Sequence, residues 1–485
     1  MMTSLTRAAT DRLRTGFEGE LIWPGDDGYD TARTVWNAAI DRRPALIARP
    51  DATADVLTVV RFARECGMEI SIRGGGHSAA GHAVADGALM LDLSAMKAIE
   101  VDPAARTAVA GPGLVWRELD AATQEFGLAT TGGVVGSTGI AGLTLGGGIG
   151  YLDRLAGLTC DNLLAAELVT ADGEVLQASA DAHPDLFWAL RGGGGNFGVV
   201  TAFTYRLHPV TEVYGGLLGY TTDRAAEVLR AFAEFGPGAP GRLALYAGLV
   251  TAPPAPFVPE HLRGQRVAGL IPVYFGPAGE AARVLAPLRD LAPPVLDLTQ
   301  PMSYQQAQQL TDGLNPPGMH HYYTAEWLHD LDGQAIEALV AAAASAPSRQ
   351  SVIVIKRMGG ATADVPADAT PFWYRDAAYN LDVHAQWAPT SPPELHTAWA
   401  QATRQAARHA SAGGGYVNFI GADQGPGRVR AAYGGNYARL AQIKAAYDPD
   451  NFFHVNNTIP PAVRAGNAPA RAVNAAPDGG ERAAS

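Results

Sequence analysis

The chain is poor in lysine and in cysteine. Of its 36 basic residues in 485 only Lys97, Lys356 and Lys444 are lysines, and Cys66 and Cys160 are the only cysteines. Two thiols cannot supply a disulfide framework, so packing has to hold the fold. The cysteines and histidines do not take the spacing of a zinc site either, and no metal is expected. Long apolar runs are missing too. The opening residues Met1 to Arg12 hold no stretch suited to a secretory signal, which leads to the expectation of a cytoplasmic protein with no membrane partner. A formal net charge of −12 disfavours a nucleic-acid footprint, and no acidic block explains it, so no basic partner is implied. With 47% hydrophobic and 17% charged residues the chain is no disordered polyelectrolyte, and its length suits two closely packed domains of a soluble enzyme.

Glycine, by contrast, is concentrated in three segments before position 200. The first is Arg73-Gly74-Gly75-Gly76-His77-Ser78, continuing to Gly81-His82, directly after the strand-like Met68 to Ile72. Consecutive glycines let backbone N–H groups approach a diphosphate, and His77 offers a nucleophilic ring nitrogen beside them. The spacing is neither that of a Rossmann turn nor that of a nucleotide-triphosphate loop. A tight turn with a surface histidine is the alternative. The second segment, Phe126 to Leu152, has ten glycines and no charged residue, including Gly132-Gly133, Gly139, Gly142, Gly146-Gly147-Gly148 and Gly150. Glycine at that density makes a poor helix and lacks the side chains of a bilayer span, so it reads as buried backbone against a large flat ligand. The third, Arg191 to Gly198, precedes the strand-like Val199 to Arg206. Three such loops imply one extended cofactor.

These motifs, with Arg154 to Leu163, Asp185 to Arg191, Tyr416-Val-Asn418-Phe419, Tyr447 to Phe453 and Asn457-Thr-Ile-Pro460-Pro461, resemble the berberine-bridge-enzyme-like flavoproteins of the vanillyl-alcohol-oxidase superfamily. Gly19 to Pro24 and Trp36 to Pro44 are similar to an actinobacterial branch that includes the enterocin-pathway flavoprotein. The resemblance runs nearly end to end. It implies an α+β fold, a two-part FAD-binding domain with an inserted substrate domain of antiparallel sheet backed by helices. The expected divisions are 1–212 for FAD, 213–412 for substrate, 413–461 as the return to the FAD domain, and 462–485 as a disordered tail.

The resemblance also implies FAD attached covalently through His77. The position where many members carry a second, cysteinyl link is Gly139 here, so a single link is expected, with Cys160 a small buried hydrophobe. Cofactor contacts carry over to Arg73, Gly74, Gly75, Gly76, Ser78, Gly81, His82, Gly133, Gly139, Gly142, Gly147, Gly148, Gly150, Asp161, Asn162, Val199, Asn418 and Asn457. Ile140 corresponds to a position bordering the approach of oxygen.

For catalysis, Tyr416 matches the first tyrosine of a family motif whose second tyrosine is Phe419 here. A phenol near its ordinary pKa of ~10 needs a cation to act as a base, and Lys356, after the strand-like Ser351 to Ile355, is the expected cation. The alternative places Lys356 in solvent at a strand end. A carboxylate that related enzymes carry on this strand corresponds to Val354. His320, His321, Tyr322 and Tyr323 line the pocket or form a polar turn. The activity the resemblance implies is oxidation of a small-molecule substrate, a specialised metabolite, with dioxygen as acceptor. A flavin-dependent oxygenase or oxidative cyclase is the alternative, and a non-catalytic flavin-binding protein is the alternative of another class.

Overall fold

The computed structural model of the chain describes residues 11, 13–256 and 258–463. The expected tail therefore lies outside the described residues from 464 onward.

The first unit is built on local signals. Val56, Val59, Val60 and Ala63 recur at helical spacing and are fully buried along helix Thr53–Glu65, which ends before Gly67. That helix links strand Leu46–Arg49 to strand Ile70–Arg73. Both run parallel to Leu89–Asp92, which lies between them, and Glu20–Ile22 adds an antiparallel edge. The histidine loop leaves the carboxyl end of strand Ile70–Arg73, the end of a parallel sheet at which ligands bind.

A five-stranded antiparallel sheet follows, with Val199–Arg206 at its centre between Thr107–Ala110 and Leu163–Val169. The third glycine loop thus feeds the central strand. The second glycine segment departs from the expectation of irregular backbone, because Ile140–Leu145 is a short helix. Between Gly139 and Gly146 only Gly142 interrupts it, and Thr144 Oγ1 donates to Ile140 O at 2.7 Å within the turn.

The large sheet takes its strands from between Val213 and Trp387. Its main path runs Leu296–Asp297, Leu218–Thr221, Arg266–Phe275, Leu243–Thr251, Val352–Arg357, Tyr379–Trp387 and His320–Leu328, all antiparallel. Alternation gives it two faces. Leu245, Ala247, Ile353, Ile355, Leu381 and Val383 share a core with residues of helices Ala225–Phe235, Ala278–Leu291, Gly333–Ala344 and Pro393–Ala406. Tyr246, Lys356, Asp382 and His384 lie on the other face and line a cavity.

The carboxyl-terminal segment is tied down by a buried charge. Lys444, on helix Tyr437–Tyr447, is fully buried and donates to Asp448 Oδ2 (2.6 Å), Asn196 O (2.6 Å) and Phe453 O (2.9 Å). One ammonium therefore joins the tail motif to the third glycine loop.

Candidate active site

A cavity of about 370 Å³ lies between the glycine loops and the polar face of the large sheet. The loop wall presents backbone. Gly74, Gly75, Gly76, Gly139, Gly142, Gly194, Gly195 and Gly198 all line it, so all three glycine segments converge there. Two of these loops touch directly: a Cβ on Gly75 would stand 2.4 Å from Gly139 N, and a Cβ on Gly139 would stand 2.4 Å from Gly75 N. At Gly142 and Gly195 the opposite holds, since a Cβ would meet no protein atom within 4 Å. These two positions keep clear a space that side chains would fill, as a large flat cofactor requires. The lining residues also suit a dinucleotide in their charge. Among them the only ammonium or guanidinium is Lys356, so an anionic diphosphate would be held by glycine N–H groups.

His77 stands at this wall. Its ring stacks on Trp36 (centroids 4.9 Å apart, 15° between planes), and Nε2 lies 3.2 Å from Ser137 Oγ. Burial, with the charge of Arg117 adding and the Ser137 hydrogen bond opposing, pushes it down to about 4. The ring is stacked on Trp36 and lines the cavity, against the alternative of a tight turn with a surface histidine. Trp36 stacks also on His321 at 3.7 Å, and Asn37 holds this loop by donating to Ala79 O (2.7 Å) and His321 O (2.9 Å).

Not every residue carried over from the motifs reaches the cavity. Ser78, His82, Gly133, Val199, Asn418 and Asn457 line it with His77. Arg73 turns away, donating to Ala32 O at 2.6 Å and facing Asp92 at 3.7 Å. Gly81 packs against Ile40, and a Cβ on Gly150 would stand 1.6 Å from Gly132 O, so both serve close packing. Gly147 and Gly148 underlie Tyr416, with Gly148 N donating to its hydroxyl. Asp161 forms a two-pronged pair with Arg375 (2.6 and 2.7 Å), and Asn162 caps Ala156 O and Leu158 O. Those motif residues brace the loop. Cys160 is fully buried among Ile149, Leu158 and Trp327, as expected of a small hydrophobe. Ile140 is fully buried in the core beneath the five-stranded sheet.

The sheet wall supplies side chains in ranks fixed by register. Tyr246, Lys356 and Asn380 stand opposite one another, then Gly248, Val354 and Asp382, then Val352, His384 and Tyr323. Lys356 is 6% exposed and salt-bridged to Asp382, which is 0% exposed, so the solvent alternative for Lys356 fails. Asn380 places its amide nitrogen on both Asp382 oxygens, at 2.8 and 3.2 Å. Burial raises the Asp382 carboxyl, and Lys356 opposes that. The Lys356 ammonium also lies 5.3 Å from the Phe419 ring centroid.

This corrects the expected catalytic arrangement. The cation is committed to a carboxylate and does not lower Tyr416. Burial raises that phenol, and its oxygen accepts from Gly148 N (3.0 Å) and Asn418 Nδ2 (2.8 Å). Val354 is indeed apolar, but Asp382 brings a carboxylate from the neighbouring strand to the position directly opposite. His320, His321 and Tyr322 do not line the cavity. His321 lies under Trp36, pushed down to about 3 chiefly by burial, and the Tyr322 hydroxyl donates to Asp423 at 3.1 Å. Of that run Tyr323 alone lines the wall, stacked 3.9 Å from His384 of the neighbouring strand. Burial, with the charge of Lys356 adding, holds His384 well below the usual imidazole range.

Comparison with known proteins agrees with this geometry. Residues 44–179 match the "FAD binding domain" family and residues 415–460 the "Berberine and berberine like" family. An FAD-linked oxidoreductase of Bacillus subtilis is 30% identical over 460 residues, covering 93% of this chain and 99% of its own. The (R)-6-hydroxynicotine oxidase of Paenarthrobacter nicotinovorans is 32% identical over 468 residues, covering 92% and 97%. The crystal structure of 6-hydroxy-D-nicotine oxidase from Arthrobacter nicotinovorans superposes with a TM-score of 0.80 at 30% identity, over 91% of this chain and 98% of that one.

Proposed function

The chain belongs to the berberine-bridge-like FAD-linked oxidoreductases, and from that premise we propose that it oxidises a C–H beside an O–H or N–H in a specialised metabolite. FAD, when bound, would supply the two-electron oxidation, with dioxygen as the electron acceptor of this reading. The observation that carries this reading is the placing of a buried carboxylate–lysine pair, Asp382 and Lys356, across one cavity from the glycine wall and His77.

His77, held neutral, offers an unprotonated nitrogen for a single covalent link to the cofactor. A cysteine in place of Gly139 would collide with Gly75, which supports one link rather than two. Gly74 to Gly76, Gly142, Gly195, Asn418 and Asn457 hold the remainder. Asp382 accepts the proton from the substrate O–H or N–H, and Lys356 stabilises the carboxylate until it does so. The Tyr416 oxygen already accepts two hydrogen bonds, so its own proton is free to be donated to a substrate oxygen and orient it. Val134, Val250, Ile271, Tyr323 and Phe419 give the rest of the cavity apolar and aromatic walls, which suit a ring compound better than a highly hydroxylated one.

We also divide the chain, as this reading requires, into an FAD part (1–212), a substrate part (213–412) and a return (413–461), in a cytoplasmic enzyme of the actinobacterial, enterocin-like branch. Among the described residues no helix is long and apolar enough to cross a membrane. The test is a panel of hydroxylated ring compounds added without air. Bleaching of the flavin absorbance, then hydrogen peroxide in proportion to product once air is admitted, is the expected result. Label from dioxygen entering the product would instead identify an oxygenase, and no bleaching by any member of the panel would contradict the substrate class.

A further inference from the structure

His384 is a polar group on the cavity wall that the proposed reaction leaves unused. It lies two residues beyond Asp382 on strand Tyr379–Trp387, and alternation puts both on one face. The residue is half-buried and lines the cavity, yet among the described residues neither ring nitrogen has a hydrogen-bond partner, and Nε2 is closed off within the wall.

Other rings, rather than hydrogen bonds, hold this imidazole in place. Tyr323 stacks on it at 3.9 Å with 19° between the planes, and Phe419 meets it edge-on at 5.2 Å. The Tyr323 hydroxyl donates to Asn315 Oδ1 at 3.4 Å, and Asn315 Nδ2 donates to Thr311 O at 3.0 Å. Tyr323 and Asn315 line the cavity with His384, so these three make a polar pole apart from the Lys356–Asp382 pair. Alongside, the neighbouring strands present Val352, Val354 and Gly248, and a glycine inside a strand lets a ligand lie close to the backbone.

The two poles constrain what fits between them. Two residues of strand rise ~6.7 Å, a span that a ring with substituents at opposite ends can cover. Lys356 and Asp382 are the only carboxylate, ammonium or guanidinium groups on the lining, and they neutralise each other. A charged substituent at the far pole would therefore be buried without a counterion. We propose that His384 is a substrate-binding residue, hydrogen-bonding a second polar substituent of an uncharged ring compound whose reacting carbinol lies at Asp382. This rests on the reading of Asp382 and the cavity given above.

The test uses the FAD-loaded enzyme without air and benzyl alcohols bearing a para hydroxyl, a para methyl or a para carboxylate. Binding is read from the perturbation of the flavin spectrum, and reaction from its bleaching. The wild type should bind the hydroxyl compound about tenfold more tightly than the methyl compound, the scale of one well-placed hydrogen bond, and the carboxylate least. His384→Phe keeps a ring against Tyr323 and should bring the hydroxyl-to-methyl ratio close to one, with His384→Gln restoring part of it. A purely structural role would weaken both compounds alike and leave the ratio unchanged. The wild-type ratio stands as a test even if a variant fails to fold. A ratio near one in the wild type, an unchanged ratio in His384→Phe, tightest binding of the carboxylate, or no binding of any of the three overturns the proposal. Discrimination without bleaching upholds the His384 contact and counts against the oxidation reading, whereas bleaching without discrimination removes His384 alone.

Discussion

The two walls of the cavity are made in opposite ways. The loop wall is backbone from segments scattered between Gly74 and Gly198, and its requirement is the absence of side chains, met where Gly75 and Gly139 touch and where Gly142 and Gly195 leave space. The sheet wall is regular structure on which register alone brings Tyr246, Lys356, Asp382 and His384 to one face. The first wall suits a cofactor common to a family. The second presents single side chains on regular strands, and this is where substrate preference can change.

That contrast can be broken first at the loop wall, where the largest effects are expected. His77→Ala should convert flavin that stays with the acid-precipitated protein into flavin that is released. A flavin-bearing peptide from the wild type that contains Cys160 rather than His77, identified by mass spectrometry, would refute the attachment. Gly142→Leu fills the reserved space while its Cβ meets no protein atom, so FAD content should fall to background with the circular dichroism spectrum unchanged. Normal loading of that variant would show that the space is not the cofactor's.

On the sheet wall, Lys356→Met leaves Asp382 buried without its cation. The carboxyl then rises further, and the pH at which flavin reduction becomes fast should move up by about 1–3 pH units. Loss of one partner of a buried pair should also cost ~3–5 kcal/mol of stability. An unmoved pH profile would separate Lys356 from the base.

How much of each wall was legible in the sequence follows from its construction. Glycine declares a local need, so the three loops and His77 stood out before any fold was known, while Asn418 and Asn457 came only through the family resemblance. Even there, motif membership did not distinguish lining residues from braces such as Asp161, whose role depends on Arg375, 214 residues away. Asp382 and His384 were missed for a different reason. In Tyr379–Trp387, Asn380, Asp382, His384 and Gln386 alternate with Leu381, Val383, Ala385 and Trp387, a pattern ordinarily read as a strand with one wet face. Only tertiary structure shows that this polar face is covered. Tyr416 lines the cavity, while its protonation depends on burial and on donors from Gly148 and Asn418 that sequence alone does not specify.

A smaller effect separates charge that serves the cavity from charge buried beside it. Asp120 is buried with Gln308 Nε2 3.3 Å away, and burial pushes it up to about 8 against that hydrogen bond. Unfolded, the same carboxyl titrates near ~3.9, so the native state holds a proton that the unfolded state releases between these values. Folding stability should fall as pH rises through that window, and Asp120→Asn should abolish this share of the loss. The melting temperature of the variant relative to wild type should therefore climb from acid to alkaline pH, by a few degrees at most. A constant difference would mean that Asp120 is ionised in the folded protein.

The most direct measurement is the anaerobic rate of flavin reduction in Asp382→Asn and in Tyr416→Phe, using any hydroxylated compound that bleaches the wild type. Asp382→Asn should keep its FAD and lose roughly 10²- to 10⁴-fold in rate, the scale of a positioned acid–base group, while Tyr416→Phe loses much less. A wild-type rate in Asp382→Asn together with a large loss in Tyr416→Phe would return the base to the phenol and contradict the account.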